Sequence, residues 1–403
     1  MRRSAFFVSF LVLASGSSIA ASTLPTWTSA ITGKELPLTV HVPARPADKT
    51  EASALPTVLY LQNLAAPRAG TDSDDAIVSD LLAQGCQVVA IDFGRDPKTR
   101  LPALNLDLAK LRDDIRVGKF SVPIAIDQSR VYIVPSGHRL LRDIVYYRDA
   151  GRTLCLDLIY PSNPAKAPGI VLEFSCDNKD RMGNVSLSAC NDTILDGEAT
   201  EGFAVAMADH PVAAPYKGID AMPECAWKIK AAVRTLRATA RGLALDEKIV
   251  PVGFSRGSGM ALMLVTTAGM QEFEGHGEQL SIDSAVQGGV IMSGRFTYLD
   301  LLPEDHMIPR YEKAWGTLEK SADVWKQHGA LDYLQNPTLP LFLTINCTEA
   351  PEALYQMDIL RRRLSELKSP FIYHLDQEPR GHKVAREPII LEAIDRYLKD
   401  RLH

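Results

Sequence analysis

Residues 249–259 read Ile249-Val250-Pro251-Val252-Gly253-Phe254-Ser255-Arg256-Gly257-Ser258-Gly259 and run on into the apolar stretch Met260 to Val265. The first of these residues have the composition of a buried strand and the last that of a buried helix, so Ser255 falls on a sharp strand-to-helix turn. Gly253 and Gly257 flank the serine as such a turn requires, because backbone passes close to backbone there and a Cβ would intrude. A serine so placed presents its hydroxyl outward, and the N-terminus of the following helix favours negative charge developing beside it. G-x-S-x-G is a weak pattern by itself; the strand before it and the helix behind it give it weight.

Strands and helices alternate on both sides of this turn. Upstream, Ile144 to Arg148 and Leu154 to Tyr160 read as an antiparallel pair around Asp149-Ala150-Gly151. Pro168 to Phe174 and Phe203 to Ala208 read as buried strands, and Glu224 to Arg241 as a long helix with Pro223 in its first turn and Gly242 at its end. Downstream come strands at Ala285 to Met292, Leu339 to Ile345 and Phe371 to Leu375, with helices at Ala353 to Leu367 and Pro388 to Leu402. The stretch 295–335, with Tyr311, Trp315 and Trp325, is either a lid or acyl pocket, or an ordinary helical insertion. This alternation predicts the α/β class, a mostly parallel central sheet flanked by helices.

A smaller α/β half-domain precedes it. Leu36 to Val42, Pro56 to Leu61, Gln87 to Phe93 and Arg130 to Val134 read as strands, with helical spacing in Asp74 to Gln84 and Leu101 to Ile115. The same order of elements recurs in 154–252 at an offset of ~112 to ~118 residues, too long for a solenoid repeat and near the size of half an α/β domain. The reading is a degenerate duplicated half, although any two parallel α/β stretches resemble each other in strand order. Where the second copy has its glycine-flanked serine, the first has Pro135-Ser136-Gly137-His138-Arg139. The expected organisation is thus a leader over 1–21, an N-terminal α/β subdomain over 22–134 and a catalytic domain over 135–403.

The chain has 403 residues, is 46% hydrophobic and 23% charged, and carries a net charge of -5. That balance leaves no basic footprint for nucleic acid, and there is no zinc-type Cys/His spacing and no phosphate-cradling glycine loop. Met1-Arg2-Arg3, the apolar run Ala5 to Ala14 and the small residues around Ala20 and Ala21 have the form of an export signal; after its removal no membrane association is expected. Export permits disulfides. Among the six cysteines, Cys176 and Cys190 are the first pair to test, while Cys86 and Cys155 lie in strand-like runs and read as buried free thiols.

A serine nucleophile needs a base, and the base needs an acid to orient it. His382 follows the last strand and precedes the last helix, which puts it at the same sheet edge as Ser255. His210, directly after a strand, is the rival. The acid is expected between serine and histidine in sequence. Glu349, four residues past the strand that ends at Ile345, is the first candidate and Glu352 its close rival; Asp358 and Asp300 stay open. Two N–H donors must hold the oxyanion. One is the backbone of Arg256, and the other comes from the loop after Phe174, hence from Ser175, Cys176 or Asp177, with Cys176 taken as the working choice.

On these motifs the chain resembles the α/β-hydrolase superfamily, and within it exported esterases related to dienelactone hydrolases, acetyl xylan esterases and bacterial feruloyl esterases. The likeness covers Ile144 to the C-terminus and rests on L-D-E-K-I-V-P-V-G-F-S-R-G-S-G at 245–259, E-G-F-A-V-A-M-A-D-H at 201–210 and G-H at 381–382. Phe174-Ser175-Cys176-Asp177 stands where that group carries an H-G-G-type loop, and Ile345-Asn346-Cys347-Thr348-Glu349 where it carries H-G-x-x-D. The resemblance implies an α/β-hydrolase fold and an exported serine esterase acting through an acyl-enzyme on small-molecule or polysaccharide esters, with no metal or organic cofactor. A prolyl oligopeptidase-like peptidase and an inactive binding protein on the same fold are the other readings.

Overall fold

Two sheets form from the apolar runs of the chain in a computed structural model. It describes residues 20–28, 33, 35–43, 54–63, 72–93, 111, 114–115, 119, 126–149, 152–164, 166–174, 203–209, 211, 224–383, 385 and 387–403. The smaller sheet holds β1 (Ala20–Thr28), β2 (Glu35–Val42), β3 (Leu55–Gln62), β4 (Gln87–Asp92) and β5 (Ile126–Pro135), in the order β1-β2-β4-β3-β5. The larger holds β6 (His138–Asp149), β7 (Arg152–Pro161), β8 (Gly169–Phe174), β9 (Phe203–Ala208), β10 (Ile249–Phe254), β11 (Gly289–Met292), β12 (Leu341–Asn346) and β13 (Phe371–Asp376), in the order β13-β12-β11-β10-β8-β9-β7-β6. Between and after the strands lie α1 (Asp74–Ala83), α2 (Glu224–Leu243), α3 (Arg256–Thr266), α4 (Ile308–Trp315), α5 (Leu318–His328), α6 (Pro351–Glu366) and α7 (Pro388–Leu402).

In the larger sheet only β6 with β7 and β7 with β9 are antiparallel; all other neighbours run parallel. The smaller sheet has the same pattern. Its β1 with β2 and β2 with β4 are antiparallel, and β4 with β3 and β3 with β5 are parallel. Strand for strand, β1-β2-β4-β3-β5 has the order and pairing sense of β6-β7-β9-β8-β10.

Strands β8, β9 and β12 are buried along their whole length, as parallel strands covered on both faces must be. One face packs on α2, α3 and α6 through a core that includes Leu172, Ala206, Ile229, Leu236, Leu262 and Leu360. On the other, α7 lays Ile390, Ile394 and Leu398 against Val171, Val205 and Val250. Side chains alternate along a strand, so Met207 of β9 points to the same face as Val205. There the cover is α1, whose Ile77, Val78, Leu81 and Leu82 cluster with Val58, Tyr60 and Val88 of the small sheet and with Leu140 and Met207 of the large one. One helix thus serves both sheets. A polar seam ties it down: Arg139 reaches Asp72 at 2.7 Å, and the Gln84 amide donates to the Leu140 carbonyl at 2.9 Å.

Some expectations change. The strand expected from Ala285 begins only at Gly289, because Gly288 takes φ +154 and Gln287 spends its side chain on the Ile249 amide at 2.5 Å. Cys155 is half-buried rather than buried, whereas Cys86 is a buried free thiol. The Cys176–Cys190 pair, residues 1–19 of the expected 1–21 leader and most of the Leu101–Ile115 helix lie outside the described residues, whereas Ala20 and Ala21, in β1, pair with Val42 and His41. Within 295–335, Trp315 stacks on Tyr311 and on His328 at centroid distances of 4.8 and 4.0 Å, and Trp325 packs edge-on against Tyr311 and Trp315. The insertion fills its interior with its own aromatic side chains.

Candidate active site

At the end of β10 the chain turns so tightly that a Cβ on Gly253 would run into the Gly257 carbonyl, and one on Gly257 into the Phe174 carbonyl. Ser255 itself takes φ 56, ψ -121, a conformation that costs an L-residue about 1–3 kcal/mol and persists only where surroundings impose it. Here they do: the Ser255 amide donates to Met292 O at 3.1 Å, and α3 starts at the next residue. Strain of this kind lifts the hydroxyl clear of the sheet.

His382 comes from the segment between β13 and α7. Its Nε2 lies 3.0 Å from Ser255 Oγ and its Nδ1 2.8 Å from Glu349 Oε2. The arrangement assigns the neutral tautomer, with Nδ1–H donating to the carboxylate and Nε2 accepting from the hydroxyl. The imidazole is 50% exposed and the Glu349 side chain 1%, so the ring opens to solvent while the carboxylate is sealed beneath it. Phe254, directly before Ser255, packs on the imidazole at 4.6 Å between centroids.

Glu349 needs support, because a buried carboxylate without donors would take up a proton. Burial does push its pKa up, but the bonds from His382, from the Ala350 amide at 2.9 Å and from Ser293 Oγ at 2.9 Å together outweigh that and hold it below the ordinary glutamate value. Ser293 is a residue that the sequence reading misses. It sits one position past β11 at φ 54, between β10 and β12, and its carbonyl accepts from Ser258 Oγ. A Ser-Gly pair closing a strand beside the serine turn was the only available signal.

The rival acid turns elsewhere. Pro351 opens α6, so Glu352 belongs to the first turn of that helix, where it meets His306 Nδ1 at 2.7 Å and Arg295 at 3.8 Å. Asp300 accepts from the Tyr355 hydroxyl, and Asp358 pairs with Arg361. Arg256 opens α3 with an exposed side chain, which leaves its amide at a helix N-terminus beside Ser255. His210, Ser175, Cys176 and Asp177 lie outside the described residues.

Strand order, a serine on the β10–α3 turn, an acid after β12 and a histidine after β13 occur together in one known architecture. Among solved structures, a truncated carbohydrate esterase from gut microbiota superposes with a TM-score of 0.56 at 16% identity, over 65% of this chain and 95% of its own. This is the α/β-hydrolase fold. A bifunctional GH43-CE protein of Bacteroides eggerthii matches with a TM-score of 0.54 at 19% identity, over 65% of this chain and 38% of its own. An esterase of the planctomycete Thermogutta terrifontis, with butyrate bound, reaches 0.50 at 18% identity, over 66% and 94%. The BD-FAE family model, which describes an α/β-hydrolase-type esterase family, matches residues 181–345. That span contains the α/β-hydrolase serine turn and ends before Glu349 and His382. No curated protein sequence matches the chain.

Proposed function

We propose that the protein is a serine esterase that cleaves carboxylic esters through an acyl-enzyme. The observation that supports this most directly is the unbroken line Glu349–His382–Ser255, closed by bonds of 2.8 and 3.0 Å. Ser255 Oγ attacks the acyl carbon while its proton passes to His382 Nε2, and Glu349 stabilises the imidazolium that results. The oxyanion is held by the Arg256 amide and by a second donor from the chain after Phe174. Nε2 then gives its proton to the leaving alcohol, and water repeats the sequence to release the acid. The esterase neighbours and the BD-FAE match support ester over amide substrates, and the carbohydrate esterase among them supports acyl groups carried on sugars. The charged, then apolar, N-terminus supports export.

Labelling with a fluorophosphonate probe and hydrolysis of p-nitrophenyl acetate test the reading. Both are expected in the wild type and lost in Ser255→Ala, with turnover down about 10⁵- to 10⁶-fold. A folded wild type that neither labels nor hydrolyses esters would identify an inactive binding protein, and faster cleavage of peptide anilides than of esters a peptidase.

A further inference from the structure

The acid and the base leave the sheet from neighbouring strand ends. Asn346 closes β12, Asp376 closes β13, and the two are register partners. The Asn346 side chain is buried, with the residue 2% exposed, and every polar atom of its amide is engaged. Its Oδ1 accepts from the Thr348 amide at 3.0 Å, the Thr348 hydroxyl at 2.7 Å, and the Arg380 and Gly381 amides at 3.2 Å each. Its Nδ2 donates to Asp376 Oδ2 at 3.1 Å and to the Glu378 carbonyl at 2.6 Å. Two of the four donors on Oδ1 belong to the turn that delivers Glu349, and two to the segment that delivers His382. The Thr348 hydroxyl adds a bridge between them by accepting from the Gly381 amide at 3.0 Å.

We propose that Asn346 is a positioning residue for the triad, its planar amide setting the spacing between the acid turn and the base segment. This rests on the reading that Ser255, His382 and Glu349 hydrolyse esters. The need is physical. Half of the His382 ring faces solvent, so the backbone behind it must fix the ring's position. Gly381, one residue before the histidine, has φ +66 and open space where a Cβ would point; glycine is there for its backbone conformation, and the amide so turned is the one that Asn346 and Thr348 share. Only an amide side chain suits the site. Aspartate would set a second carboxylate against Asp376, which is fully buried, and leucine would leave the Arg380 and Gly381 N–H groups without this acceptor.

A misplacement of 1 Å in a reacting group costs about 10²-fold in rate. Asn346→Ala is therefore expected to lower kcat about 10²-fold with KM changed by less than about threefold, while circular dichroism stays native. Thr348→Val, an exposed and conservative change that removes one of the two anchors on the Gly381 amide, is expected to cost about tenfold. The downfield NMR resonance of the His382 Nδ1 proton reads the same geometry without turnover, and should be present in the wild type and broadened or shifted in both variants. Native kcat together with an unmoved resonance in a folded Asn346→Ala overturns the proposal; if that variant does not fold, the same result in Thr348→Val does. A wild type that shows the resonance but neither labels nor hydrolyses esters sinks the esterase reading, and the positioning role of Asn346 then stands or falls on the resonance in the variants.

Discussion

Glu274→Gln tests the electrostatic fastening of the fold, because one carboxylate there holds two buried cations. Lys230 and Arg234 on α2 are 0% and 1% exposed, and both close on the Glu274 carboxylate, at 2.8 and 2.9 Å. At an effective dielectric constant of about 20 each contact is worth about 6 kcal/mol of Coulomb attraction, most of which offsets the cost of burying the charges. Glutamine keeps an acceptor oxygen but no charge, while bonds to main-chain carbonyls remain, such as Lys230 to Thr267 O at 2.8 Å. The expected loss is about 3–5 kcal/mol of unfolding free energy, a large part of the ~5–15 kcal/mol of a typical domain. It also depends on pH. Burial already lowers the Lys230 pKa, and without Glu274 the folded value falls further below the unfolded one. The native state then binds fewer protons than the unfolded chain, so stability climbs as pH rises toward the unfolded value of about 10.4. Urea unfolding at pH 7 and pH 10 reads both effects. A deficit under about 1 kcal/mol at pH 7, or one that widens with pH, refutes the reasoning.

Three further outcomes follow from the same structure. Ser293→Ala removes one of the bonds to the buried Glu349 carboxylate and is expected to cost about 1.5–3 kcal/mol in urea unfolding together with about tenfold in kcat; unchanged values in both would show that Ser293 does not support the acid. His328 is lowered by burial to about 4, so the native state binds fewer protons than the unfolded chain between there and 6.5, and stability falls as pH drops through that window. His328→Phe keeps the ring on Trp315 and is expected to gain about 2 kcal/mol relative to wild type at pH 5 and nothing of this kind at pH 8, read as Tm at the two values. A chain of residues 135–403 alone uncovers Leu140 and Met207, which α1 normally covers, and is expected to bind a hydrophobic dye and aggregate; a soluble, dye-negative fragment would show that the large sheet needs no cover from the N-terminal part.

The serine turn was legible because its constraint is local: two glycines, a strand and a helix lie within about a dozen residues, and sterics over that distance repeat wherever the pattern occurs. The histidine was legible for a related reason, since a segment between the last strand and the last helix of a parallel sheet leaves from the edge where the serine sits. Glu349 and Glu352 were not separable in this way. Both follow β12, and only the start of α6 at Pro351 turns one toward His382 and the other toward His306.

From the order of residues alone came the α/β class, every strand but β1, the glycine-flanked serine and the pair of acids. Tertiary structure alone turned Glu349 toward His382 and Glu352 toward His306, brought Ser293 against the Glu349 carboxylate, and set α1 between two sheets. These contacts join residues far apart in the chain, and they depend on the register of parallel strands and on which helix happens to cover a face. Neither leaves a periodic trace in the sequence, because a hydrogen bond across a strand end asks only for one suitable side chain at one position.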